Sequence, residues 1–175
     1  MRRLLLFRHA KAERAASGER DSERALTGRG CEDAERIGAY IARHGLAPDQ
    51  ALVSPSARTQ ETWKLAAGHF RPAPPMTSEP RIYEASADTL LSLVKNAPAQ
   101  TQILLLIGHN PGMHEFATTL VASGDLETRE RLREKLPAAG LAVIDFVFDD
   151  WERLRGHTGR LERFVTPKSI EAAIN

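Results

Sequence analysis

The amino-acid sequence predicts an α/β fold: a three-layer α/β/α sandwich on a mostly parallel sheet, with antiparallel C-terminal edge strands. Three observations carry this expectation. The runs at residues 4–7, 51–53 and 103–107 are unbroken stretches of apolar side chains. Continuous runs of this length suit strands buried on both faces, as in a parallel sheet flanked by helices. Each run is followed by a turn and a helical pattern, and the C-terminal third then changes to two strand-like runs with no long crossover between them.

The elements read in order. The first run leads directly into Arg8-His9. Ala34, Ile37, Gly38 and Ile41 then line one helical face, and Gly45 follows as its stop. After the second run, Ser54-Pro55 is read as the opening of a helix that Gly68 closes. Ser86 caps a helix carrying Leu90, Leu93 and Val94, which ends before Pro98. After the third run, Asn110-Pro111 sets a capping residue beside a first-turn proline. The helix that follows shows Met113, Phe116, Ala117, Leu120 and Val121 on one stripe. Residues 126–136 read as a charge-laden, solvated helix, and 141–148 and 161–165 as strands around an Asp149-Asp150 turn.

Composition bounds the function. The chain of 175 residues carries 24 Lys+Arg and 23 Asp+Glu, a net charge of +1, with 42% hydrophobic and 27% charged residues. That is ordinary globular composition and a length typical of one domain, 1–175. It excludes a disordered tail, a collagen and a membrane bundle. Near-neutral charge gives no whole-molecule attraction to nucleic acid or anionic lipid, so any anion site must be local. The apolar run after Met1-Arg2-Arg3 is too short for a signal peptide or a membrane span, and a cytoplasmic location is expected. The single cysteine, Cys31, has no disulfide or zinc partners among other cysteines and reads as an inert thiol.

The chemistry lies at the strand ends, where open parallel sheets bind their ligands. The first strand runs into Arg8-His9, the second into Ser54-Pro55-Ser56-Ala57-Arg58, and the third into Gly108-His109-Asn110-Pro111-Gly112. Parallel strands bring these segments to one edge of the sheet. Two guanidinium groups there repel one another, and Arg58 near a helix start is further opposed by the helix dipole, by roughly 0.3–1 kcal/mol. An anion resolves both conflicts. Forked arginine donors and the N–H groups of the Asn110 helix match phosphoryl oxygens. A neutral imidazole, favoured by neighbouring cations, can attack phosphorus as a nucleophile.

The same residues carry a family resemblance. The segment Leu4-Leu5-Leu6-Phe7-Arg8-His9-Ala10 resembles the strand and Arg-His-Gly signature of the histidine phosphatase superfamily, also called phosphoglycerate-mutase-like. The segments Ser54 to Thr62, Gly108 to Gly112, and Leu26-Thr27-Gly28-Arg29-Gly30 resemble its further blocks, in the right order. The short form without a cap insertion is most similar to the SixA-type phosphohistidine phosphatases. The resemblance implies His9 as the nucleophile, Arg8 and Arg58 as phosphoryl ligands, and His109 as the second pocket histidine. It implies no metal and no cofactor. Ala10, where the family usually has Gly, is the visible departure.

Other positions stay open. Glu84 is the candidate proton donor and Asp88 the second, each weighed against a carboxylate that merely complements a helix dipole. Arg24 and Asn110 are candidate substrate-binding residues, and Lys11 is a candidate rim residue. His114 is weighed as a metal ligand and set aside, because its spacing from His109 is five residues and arginines repel metal. His44, His69 and His157 read as surface residues, and Trp63 and Trp151 as packing anchors. The expected partner is a phosphohistidine-bearing protein or a phosphorylated small molecule, with no nucleic acid and no membrane. A phosphate-binding or partner-docking module on this fold, and a phosphoglycerate-type mutase, are the competing readings.

Overall fold

The computed structural model describes residues 1–174. Seven strands form one sheet: β1 (Arg2–Arg8), β2 (Gln50–Val53), β3 (Met76–Ser78), β4 (Ile103–Gly108), β5 (Val121–Gly124), β6 (Leu141–Phe146) and β7 (Gly159–Val165). Among the described residues six α-helices accompany them: α1 (Gly28–Arg43), α2 (Ala57–Ala67), α3 (Ala87–Lys95), α4 (Gly112–Leu120), α5 (Leu126–Glu134) and α6 (Pro167–Ile174). The strand order is β3-β2-β4-β1-β6-β7-β5. The β1–β4, β2–β4, β2–β3 and β5–β7 pairings are parallel, and β1–β6 and β6–β7 are antiparallel.

The apolar runs are buried on both faces because the strand alternation sends successive residues to opposite layers. Leu4, Leu6, Leu104, Leu106, Ala142 and Ile144 pack into one core with α3, α4 and the buried Leu132 of α5. Leu5, Phe7, Leu105, Ile107, Leu141 and Val143 pack into the other with α1 and α2. Each fully buried Leu or Ile contributes about 1.5–3 kcal/mol of transfer free energy. The two cores on the two sheet faces are the expected three layers. Arg3 of β1 faces Asp145 of β6 across the sheet, and the two make a bidentate ion pair at 2.6 and 2.7 Å.

Several expectations about individual elements are corrected. β6 and β7 are antiparallel as expected, but neither is an edge; β5 closes that side and β3 closes the other. Both edges are three or four residues long and partly exposed, so neither shows an apolar run. Val121 ends α4 and begins β5 instead of continuing the helical stripe. The helix after β2 begins at Ala57, with Ser56 at its cap position, so Ser54 belongs to the strand end. Asn110 lies one residue before the cap position of α4, yet its Oδ1 still accepts from the His114 N–H at 3.2 Å. The charged α5 is anchored by Leu132, with Leu136 buried just beyond it. No helix among the described residues is long and apolar enough to cross a membrane.

Candidate active site

The parallel register brings three strand ends to one level. Arg8, the last residue of β1, pairs with Gly108, the last of β4. The His9 N–H donates to the Gly108 carbonyl at 3.2 Å, and the Ser54 N–H donates to the Ile107 carbonyl at 3.1 Å. Gly108 and Gly112 are required by close approach. A Cβ on Gly108 would lie 3.0 Å from the Ile82 side chain, and one on Gly112 would lie 2.1 Å from the Ala85 carbonyl oxygen. These contacts seat residues 82–85 against the site.

His9 and His109 meet as expected, with ring centroids 5.4 Å apart. The His9 Nδ1 lies 2.7 Å from the Ala10 carbonyl oxygen. A carbonyl only accepts, so Nδ1 carries the hydrogen and the lone pair of the neutral ring sits on Nε2. Burial pushes the His9 pKa down to about 4; the Ala10 hydrogen bond opposes this, and the charges of Arg8, Arg58 and Arg24 add to it. Burial also lowers His109, to about 3, with further contributions from His9 and Arg58. Both rings are therefore neutral at pH 7. His109 Nε2 shares a hydrogen bond of 2.8 Å with Ser54 Oγ. Tyr83 meets the His109 ring edge-on at 5.3 Å.

The two arginines are desolvated differently. Arg8 donates through Nη1 to the Leu136 carbonyl at 3.1 Å, and burial, then the Arg58 charge, lowers its pKa. Arg58 is 6% exposed and is held from outside by Asp21. Its Nη1 donates to the Asp21 carbonyl at 2.9 Å and its Nη2 to Asp21 Oδ2 at 3.0 Å. Asp21 also accepts from Tyr83 OH at 2.5 Å and from Arg24 Nη1 at 2.8 Å. The Tyr83 hydroxyl, then Arg24 and Arg58, hold the Asp21 carboxyl well below the usual carboxylate range. The same bond raises Tyr83. Arg8 Nε, Arg58 Nε and His109 Nδ1 are buried with no hydrogen-bond partner among the described residues. Leaving such groups unpaired is costly, and three at one place mark a site shaped for an acceptor-rich ligand.

Arg24 joins the cluster through Asp21 and is anchored by its Nε donating to the Glu13 carbonyl at 2.8 Å. Asn110 spends its amide on the protein: Nδ2 donates to the Leu136 carbonyl at 2.8 Å while Oδ1 holds the α4 backbone. Glu84 and Asp88 are exposed, and neither carboxylate has a hydrogen bond or ion pair among the described residues. Glu84 adopts the left-handed backbone, with φ 57°. Ala10 is buried, with its N–H donating to Thr62 Oγ1 at 3.0 Å, and Thr62 in turn donates to the Arg58 carbonyl. The extra methyl is accommodated beneath the site. His114 hydrogen-bonds the Leu132 carbonyl at 2.6 Å, away from the histidine pair. Trp63 packs on Phe70, and Trp151 donates to the Thr101 carbonyl. Burial raises the Cys31 thiol.

The sequence assigns Ser54, Asp21 and Tyr83 no role of their own in the site. Ser54 stands at a strand end like the other site residues, and that position was the available signal. Tyr83 adjoins Glu84 in the same segment. Asp21 lies in a short 3₁₀ turn at Asp21–Glu23, whose approach to Arg58 no local spacing reveals.

The chain belongs to the histidine phosphatase superfamily (branch 1), which it matches over residues 4–102. Among solved structures it is similar to the SixA protein of Agrobacterium tumefaciens, proposed to be a phosphohistidine phosphatase. That match has 31% identity and a TM-score of 0.81, and covers 95% of this chain and 98% of the other. The corresponding SixA protein of Nakamurella multipartitia matches at 27% identity and a TM-score of 0.81, over 95% and 96% of the two chains. An uncharacterized protein of Mycobacterium tuberculosis is 29% identical over 158 residues, 89% of this chain and 92% of its own. The fold is therefore the phosphoglycerate-mutase-like one. Family membership and these neighbours support phosphatase activity.

Proposed function

We propose that the protein is a metal-independent phosphatase that works through a phosphohistidine at His9 Nε2 and prefers phosphoramidates, phosphohistidine on a protein foremost. The observation that carries this reading is the Nδ1–H bond from His9 to the Ala10 carbonyl. It fixes the tautomer, and so leaves a lone pair on the other nitrogen of a ring kept neutral by burial and by three arginines.

The reaction has two steps. In the first, His9 Nε2 attacks phosphorus, a P–N bond forms to the enzyme, and the bond to the leaving group breaks. Arg8 and Arg58 hold the equatorial oxygens, where charge is spread in the transition state. His109 donates a ring N–H to one of these oxygens, steadied by Ser54. In the second step, water attacks phosphorus, the P–N bond breaks with its electron pair returning to Nε2, and both water protons leave on dihydrogen phosphate, which restores the neutral His9. The positive charge that the transition state needs comes from the two guanidinium groups.

The substrate preference follows from the leaving group. An imidazole is a far better leaving group than an alkoxide, which requires a proton donor. Neither Glu84 nor Asp88 bonds to any residue of the pocket, and the Tyr83 proton is held by Asp21. A site so equipped suits a P–N bond better than an alkyl phosphate ester. The test compares a phosphohistidine peptide, an aryl phosphate and an alkyl phosphate, with chelator present, for the native chain and Glu84→Gln. Fast phosphohistidine turnover, slow alkyl ester turnover and indifference to Glu84→Gln are expected. Fast alkyl ester turnover lost in Glu84→Gln would overturn the preference and make Glu84 the acid.

A further inference from the structure

A cavity of about 420 Å³ lies between α1, the end of α5 and the start of α6, and chain neighbours of the nucleophile's frame line it. Its wall is continuous with the frame of the nucleophile. Lys11 stands two residues beyond His9. Lys135 precedes Leu136, whose carbonyl accepts from both Arg8 and Asn110. Ala138 precedes Ala139, whose N–H donates to the His9 carbonyl at 3.0 Å. The cavity volume lies within the range of small-ligand sites, roughly 300–1,000 Å³.

The lining combines apolar residues, buried or half-buried, with exposed cations. Phe164, Pro137 and Ala138 supply the apolar part. Two of the lining carboxylates, Asp33 and Glu171, are already held by Arg29 and Arg36. Lys11, Arg131, Lys135 and Lys168 remain, and none of these makes an ion pair among the described residues; Glu134 is the one lining carboxylate left to answer them. Arg131 is fixed instead over the Phe164 ring, its guanidinium carbon 5.1 Å from the centroid. In a chain of net charge +1, this is a local concentration of positive charge. The phosphoryl chemistry uses none of these four cations.

We infer that this cavity is a recognition subsite for a second anionic group of the substrate, a carboxylate or phosphate carried a short distance from the phosphoryl group that His9 attacks. The inference rests on the phosphatase reading and narrows its substrate class. The second anion keeps its charge throughout the reaction, so the subsite binds ground state and transition state alike. Its removal therefore raises KM and leaves kcat unchanged.

The experiment measures kcat and KM for the native chain, for the Lys11→Ala/Lys135→Ala double variant and for Lys11→Glu/Lys135→Glu. Both lysines are exposed, so folding is preserved. Two substrate pairs are used: phosphohistidine peptides with acidic or alanine flanks, and aryl phosphates with or without a ring carboxylate. The native chain is expected to favour the acidic member of at least one pair by roughly tenfold in KM, the scale of two surface charge pairs. The double alanine variant is expected to lose that preference, and the double glutamate variant to reverse it, with kcat on the uncharged aryl phosphate unchanged throughout. Preference within the peptide pair identifies a protein acidic segment as the source of the anion; preference within the aryl pair identifies a small molecule. Turnover without preference in either pair, or a preference that survives both variants, overturns the subsite alone. No turnover of any substrate by the folded native chain overturns the phosphatase reading and the subsite with it.

Discussion

The two halves of the sheet present different things at the same edge. On one side β2, β4 and β1 run parallel, and their carboxyl ends deliver Ser54, His109, Arg8 and His9. On the other side β6 runs the opposite way, so the edge receives its beginning instead of its end. What arrives there is backbone: the Leu136 carbonyl that anchors Arg8 and the Ala139 N–H that anchors His9. β7 turns back again, and its carboxyl end leads into Thr166 and Lys168 at the cationic cavity. Strand direction thus sorts the roles. Strands ending at the edge supply reactive or charged side chains, and the one beginning there supplies the frame that holds them.

The largest expected effect breaks the side-chain half. His9→Ala should lower turnover by at least about a thousandfold while the far-ultraviolet circular dichroism and melting temperature stay near native. Appreciable turnover by that variant would remove His9 as nucleophile.

Next come the cations and their outer support. Arg58→Ala should lower kcat by about 10²–10³-fold, the scale of one preorganised donor at a developing charge. Asp21→Asn keeps its shape and loses its charge. It should lower kcat by roughly tenfold, the scale of a charged hydrogen bond, by loosening Arg58, Arg24 and Tyr83 together. An Asp21→Asn enzyme with native kcat would show that the Asp21 charge is not needed, burial and the Asp21 carbonyl sufficing to place Arg58.

The pH profile separates burial from charge. The folded His9 pKa of about 4 lies below its ordinary value of 6.5, so the neutral nucleophile persists well below neutrality. The expected kcat/KM for a phosphate ester is limited by His9 protonation only as pH falls through about 4. The linked stability has the same sign. Between 6.5 and about 4 the unfolded chain binds the proton and the folded one does not, so this contribution is present above 6.5 and is lost as pH falls through that window. An acid limb near 6.5 would contradict the burial of His9.

The smallest effect on chemistry belongs to the framing half. Ile144 of β6 is fully buried in the layer beneath α3 and α4. Ile144→Ala should cost about 2–5 kcal/mol of stability in denaturant titration, with kcat within about twofold at temperatures where the variant is folded. A large loss of kcat at native stability would show that the frame tunes the site and does not merely hold it.

What the sequence revealed follows the same division. β1, β2 and β4 were legible because strands buried on both faces must be apolar throughout, and their ends then marked Arg8, His9, Arg58 and His109. β3 and β5 were not, because Met76-Thr77-Ser78 and Val121-Ala122-Ser123-Gly124 lie at partly exposed edges and need no apolar run. Asp21 and Tyr83 are not legible in the sequence, because their meeting depends on a loop folding back over α2, which leaves no periodic trace. Glu84 carries a proton donor's chemistry in the sequence, and in the structure its neighbour Tyr83 stands edge-on to His109. Ala10 departs from the family pattern at little cost, since its backbone is outside the positive-φ region and Thr62 accepts its N–H.

The most direct measurement traps the intermediate. The native chain is mixed with a radiolabelled phosphoryl donor, quenched in denaturant at alkaline pH, and the labelled peptide is isolated. Phosphorus magnetic resonance on the same peptide distinguishes phosphate on Nε2 from phosphate on Nδ1. The expected result is an acid-labile, base-stable label on His9 at Nε2, absent from His9→Ala. Label at Nδ1, or on His109, or turnover with no trapped label, would contradict the assignment of His9 Nε2 as the attacking atom.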